Sequence, residues 1–143
     1  MPQVDLHLTS GREAWDPGEN LEGTIRLHSE HEWTADYVEL LVWWHTSGKG
    51  QQDKGVMHKQ AFAEKGQRIP TRVDHHFRIR LPQAPWTYHG RLIKIDWFVG
   101  AYAREHGQEE EAIIKPIRLF PGGKDEPVAP GAFTLPDDAP PEE

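Results

Sequence analysis

Trp15-Asp16-Pro17-Gly18-Glu19-Asn20-Leu21-Glu22-Gly23 reads as a tight turn that delivers the chain into a β-strand. Pro17 presets φ for the second position of the turn, and Gly18 supplies the positive φ that a type II turn needs at the third. Beyond it Leu21, Gly23, Ile25 and Leu27 alternate with Glu22, Thr24, Arg26 and His28, the two-residue period of a half-buried strand. A second punctuated stretch, Leu81-Pro82-Gln83-Ala84-Pro85-Trp86-Thr87-Tyr88-His89-Gly90, lies between two more alternating runs. Tyr88 is expected to bury its ring at this corner while its hydroxyl serves a backbone group.

Outward from these turns the same period recurs. Val4, Leu6 and Leu8 form one face of a first strand. Val38, Leu40, Val42 and Trp44 face the expected core, and Tyr37, Leu41, Trp43 and His45 the other side. A weaker strand follows near 56–62; then Val73, His75, Phe77, Ile79 and Leu81 oppose Asp74, His76, Arg78 and Arg80. Ile93, Ile95, Trp97 and Val99 alternate with Lys94, Asp96 and Phe98, and a last strand carries Ile113, Ile117 and Leu119. No run keeps a helical period. About seven strands punctuated by turns predict an all-β sandwich.

Taken in order, the aromatic before a Pro-Gly-Glu turn (Trp15, Pro17, Gly18, Glu19, Leu21, Gly23) and the later Leu-Pro, Pro-x-x-Tyr-x-Gly signature (Leu81, Pro82, Pro85, Tyr88, Gly90) resemble the arrestin-like family, including its bacterial sporulation-control and retromer-subunit relatives. The resemblance spans roughly residues 3–120, one lobe where members usually have two. It implies an immunoglobulin-like sandwich with a non-catalytic, partner-binding role through loops, sheet face and edges. No phosphate-sensing lysine pair matches, so phosphate recognition is not carried over.

A chain of 143 residues suits one domain, expected over residues 1–120, with an acidic Pro-rich tail over 121–143. Residues 1–120 carry 17 acidic and 15 basic side chains, a net of −2; residues 121–143 carry six acids and one lysine, a net of −5, with six of the twelve prolines. That tail buries too little apolar surface to offset its ordering entropy, so it is expected to stay disordered, or to dock through Gly131-Ala132-Phe133-Thr134-Leu135. The absence of a clustered basic surface argues against nucleic acid. No run is long and apolar enough for membrane insertion, and Met1-Pro2-Gln3-Val4-Asp5 has no secretory character, so a cytoplasmic protein is expected. Without cysteine there is no disulfide framework and no thiolate metal site or nucleophile.

Candidate sites concentrate away from catalysis. Ser10, Ser29 and Ser47 sit in no nucleophile elbow, and no pair of carboxylates can be placed across one cleft, so no enzyme activity and no cofactor are expected. Among nine histidines, His28, His31, His45, His58, His75 and His76 raise a metal reading. His75 and His76 point to opposite faces of a strand, and a site needs three or four convergent ligands; His75 reads as a satisfied core-edge histidine. The loop Ser47–Asp53 reads either as a hairpin connection or as an anion nest with Lys49. Tyr37, Leu41 and Trp43 form an apolar stripe where a polar face belongs. Either the tail or the segment around 102–112 covers it, or it recognises a protein partner, with a homo-oligomer among the possibilities. A carbohydrate-binding module stacking sugars on Trp43, Trp33 or Trp86 is the first alternative, a small metal-dependent hydrolase the second.

Overall fold

The structure, a computed structural model, describes residues 2–12, 14–48 and 53–121. Ten strands run through them: β1 (Gln3–Leu8), β2 (Ala14–Trp15), β3 (Asn20–His28), β4 (Trp33–Ser47), β5 (Asp53–Ala63), β6 (Arg68–Ile69), β7 (Arg72–Arg80), β8 (Tyr88–His89), β9 (Lys94–Glu105) and β10 (Glu110–Leu119). The only helical element among the described residues is a 3-10 turn at Thr9–Gly11. The smaller sheet has the order β1-β3-β7, and the larger β2-β10-β9-β4-β5, with β6 added to β4 and β8 to β9. These two sheets pack face to face as the expected all-β sandwich. The strand count exceeds the expected seven because β2, β6 and β8 are two-residue pairings, too short to leave a periodic signal.

Alternation explains the layers. Leu6, Leu21, Ile25, Leu27, Phe77 and Ile79 enter the core from the smaller sheet; Val38, Leu40, Val42, Trp97, Val99, Ala101 and Leu119 meet them from the larger one. Trp44 packs half-buried against this core, as its phase predicts. The segment 102–112 does not fold over the outer stripe. Its residues complete β9, turn, and open β10, so they widen the sheet instead of covering it.

The two signature stretches touch. Glu19 N donates to Asp16 O at 3.0 Å, and Gly18 has φ +81°, the type II turn that Pro17-Gly18 predicts. Gly18 N then reaches Pro82 O at 3.3 Å, and Leu81 N donates to Glu19 O at 2.9 Å. Arg12 clamps the turn from outside, its two terminal nitrogens 2.6 and 2.8 Å from the Glu19 carboxylate. Those hydrogen bonds, with a further one from the Asp16 amide, hold the Glu19 carboxyl at about 2, well below its usual 4.5.

The second stretch fastens the far side of the sandwich. Trp97 Nε1 donates to Pro85 O at 2.8 Å, and Thr87 and Leu119 exchange two hydrogen bonds at 2.7 and 2.8 Å. Tyr88 is buried, Gly90 N donates to Ile93 O at 2.9 Å, and Gly23 pairs with Leu8 and Phe77 inside the smaller sheet.

Candidate functional site

The outer face of the larger sheet carries the stripe. Strand register sets its residues in rows across four strands. Pro116, Phe98, Trp43 and Val56 form one row, and Ile114, Gly100, Leu41 and Lys59 the next. Ala112, Tyr102, Glu39 and Ala61 follow. The band is therefore wider than Tyr37, Leu41 and Trp43 alone. It gains Phe98 and Tyr102 from β9, Ile114 and Pro116 from β10, and Val56 from β5.

Trp43 does not stand out from this surface; it lies along it. Its ring stacks on Phe98 at 5.6 Å and meets Tyr102 at 6.4 Å, while Lys54 Nζ sits 5.2 Å above it. Gly100 makes room: a Cβ there would come within 3.1 Å of Trp43 and 2.9 Å of Tyr102. A glycine covered by a cross-strand ring, here that of Trp43, is a known way of stabilising a sheet. As a result Trp43 is only 8% exposed, whereas Ile114 is 48% and Val56 54% exposed. The open part of the face is thus supplied by side chains that the stripe alone does not reveal.

A polar fringe closes both ends of the band. At one end the Tyr37 hydroxyl donates to the Glu110 carboxylate, and Asp36 takes Arg104 at 3.5 Å and His106 at 3.1 Å. Burial, then the neighbouring Glu110, push the Tyr37 phenol up to about 12, and Tyr102 is raised for the same reasons, so both remain neutral. At the other end His45 lies between Asp96 and Lys54. The face thus has an apolar centre within a hydrogen-bonding fringe.

The remaining sequence candidates scatter. Lys49 lies outside the described residues, as does the tail from residue 122 on. Trp33 is 2% and Trp15 2% exposed, so neither offers a ring to a sugar; Trp86, at 36%, donates its Nε1 to Gln83 O at 3.0 Å. The carbohydrate reading therefore loses Trp33 and Trp43 as stacking platforms, because both rings are packed under neighbours.

His75 and His76 do diverge. His76 meets Thr24 at 2.9 Å on the outer face, and His75 turns inward to stack on Phe62 at 5.0 Å. His75 is not satisfied as expected: its Nε2 is buried without a hydrogen-bond partner, as is that of His58. Burial lowers the His75 pKa accordingly. Among the described residues no three His, Asp or Glu side chains converge as a metal site would require. A separate cleft of about 610 Å³ opens between β1 and β10, lined by His7, Arg12, His89, Asp96, Lys115 and Arg118. Arg12 is engaged by Glu19 and His89 by Asp96 at 2.8 Å.

No protein-family model and no curated protein matches the chain. Among solved structures it is similar to Spo0M, the sporulation control protein from Bacillus subtilis, with a TM-score of 0.66 and 17% identity over 83% of this chain. The match covers 49% of Spo0M, so the chain spans about half that protein's length. At this identity the likeness concerns the fold: an arrestin-like β-sandwich.

Proposed function

We propose that this domain is a non-catalytic adaptor that binds a protein partner through the outer face of β10-β9-β4-β5. The observation that carries the reading is the apolar band itself. An antiparallel sheet with one side on the core normally turns polar side chains to water. Here Ile114, Val56, Pro116, Phe98 and Leu41 occupy those positions in adjoining rows. Clustered apolar surface of this kind marks an interaction site, with Trp43 as its packed floor and Ile114 and Val56 as its exposed part.

The likeness to a sporulation control protein supports a regulatory role over an enzymatic one. A cytoplasmic setting fits the absence of cysteine, and among the described residues no helix is long and apolar enough to cross a membrane. The test is affinity capture from host lysate with the full chain, beside Ile114→Glu and Val56→Glu variants. Partners lost with both variants, at unchanged melting temperature, support the reading. Partners retained by both variants contradict it.

A further inference from the structure

On that reading of the face, its apolar side chains need an occupant before a partner arrives. β10 ends at Leu119, three residues beyond Pro116, so the chain leaves the sheet beside the Pro116–Phe98–Trp43 row. After Pro121 the sequence continues into Pro127-Val128-Ala129-Pro130-Gly131-Ala132-Phe133-Thr134-Leu135-Pro136. Spaced prolines leave a chain little conformational entropy to lose, and proline-rich sequences pack readily on aromatic surfaces.

We propose that residues 127–136 of the same chain lie across Phe98, Tyr102 and Ile114, over the floor made by Trp43, and that a partner must displace them. Three observations converge on this occupant.

The first is chemical. The face offers a Trp43 ring flanked by Phe98 at 5.6 Å and Tyr102 at 6.4 Å, and the segment offers three prolines, Phe133 and Leu135.

The second is reach. Six residues lead from Pro121 to Pro127, about 20 Å when extended. The Pro116 row lies about 10 Å back along the strand, and β4 about 10 Å across two strand spacings. A tether this short gives an effective concentration of order millimolar, so a weak contact suffices.

The third is charge. Asp125, Glu126, Asp137 and Asp138 bracket the segment, and the end of the face where the chain leaves it carries Arg118 and Lys54 against one acid, Asp96. Lys54 already lies over the Trp43 ring.

The test uses the full chain with photoreactive p-benzoylphenylalanine in place of Ile114, an exposed position where the new side chain disturbs little packing. Irradiation of the dilute pure protein, with adducts mapped by mass spectrometry, is expected to join position 114 to residues 127–136 of the same molecule. The adduct is expected to be lost when Pro127→Asp and Phe133→Asp are introduced together. An adduct between differently isotope-labelled copies would overturn the proposal in favour of a second molecule on the face. The absence of any tail adduct would overturn it as well. Irradiation in host lysate separates the proposal from its premise. A partner adduct at position 114, with no tail adduct in the pure protein, removes the tail and keeps the binding face. Neither adduct removes both.

Discussion

On the outer side of β3 and β7, Glu22 sits opposite Arg78, Thr24 opposite His76 and Arg26 opposite Asp74. At equivalent outward positions on β4, β9 and β10 stand Leu41, Trp43, Phe98, Tyr102 and Ile114. Both faces belong to strands whose inner sides bury apolar residues in one core, and both obey the same two-residue period. The smaller sheet pairs its outward positions by charge and hydrogen bond, with Glu22–Arg78 at 3.4 Å and Thr24–His76 at 2.9 Å. The larger sheet fills them with rings. Folding alone needs only the inner side of each sheet to be apolar, so the contrast isolates what the second face carries beyond stability. Part of that excess is structural, since Trp43 and Tyr102 roof over Gly100. The remainder, led by Ile114 and Val56, is left uncovered by the strands of the sandwich.

The contrast breaks most visibly at two tryptophans on opposite sides of the larger sheet, in adjacent rows of β4 and β9: Trp43, opposite Phe98, faces outward, and Trp97, opposite Trp44, faces the core. Trp97→Ala, on the inner side, removes a fully buried ring and its hydrogen bond to Pro85. A loss of about 3–5 kcal/mol in denaturant unfolding is expected. Trp43→Ala, on the outer side, has Lys54 and water on one flank and is expected to cost less, about 2 kcal/mol. Equal losses would mean that the outer ring is as much core as the inner one.

pH sharpens the same contrast, because the charged turn and the aromatic face respond at opposite ends of the scale. Glu19 has its carboxyl lowered to about 2 in the folded chain, chiefly by Arg12. Its contribution is therefore complete above the ordinary carboxylate range and is lost as pH falls from about 4.5 toward 2. Tyr37 is raised to about 12, so the unfolded chain ionises first and stability falls as pH rises from 10 toward 12. Glu19→Gln is expected to flatten the acid limb of a stability–pH curve, and Tyr37→Phe the alkaline limb. Curves unchanged by these substitutions would remove the two fastenings.

The smallest effects on folding come from the exposed positions. Asp74→Asn breaks a 3.8 Å solvent-exposed pair with Arg26 and is expected to cost under about 0.5 kcal/mol. Ile114→Glu is expected to change stability by about 0.5 kcal/mol or less, since the side chain is half exposed. Thermal melts of both variants check this.

Much of the fold was legible because the turns and the alternation are local. Pro17-Gly18 can satisfy its backbone in few ways, and the phase of Leu21, Ile25 and Leu27 follows from it. The stripe on β4 was visible as Leu41 and Trp43 out of phase with expectation. Its full extent was not, because rows are set by register between strands, and register depends on bulges such as the shift between Val42 and Trp43 against β5. The outward phase of Phe98 was present in the alternation of 93–99. That it stacks on Trp43 required knowing that β9 is the neighbour of β4. The alternation places Trp43 on the outer face, but nothing local signals that Gly100, far along the chain, leaves space for its ring to lie flat. The unpartnered Nε2 of His75 is likewise a tertiary fact: it depends on Phe62 of β5 closing over a residue of β7.

The most direct measurement of the central claim is a titration of the captured partner against three full-length proteins: the unaltered chain, Ile114→Glu, and Arg26→Glu on the opposite face. If the aromatic face binds, Ile114→Glu weakens affinity by about tenfold or more, roughly 1.4 kcal/mol, and Arg26→Glu leaves it nearly unchanged. Equal affinities for the unaltered chain and Ile114→Glu, or a loss confined to Arg26→Glu, would contradict it.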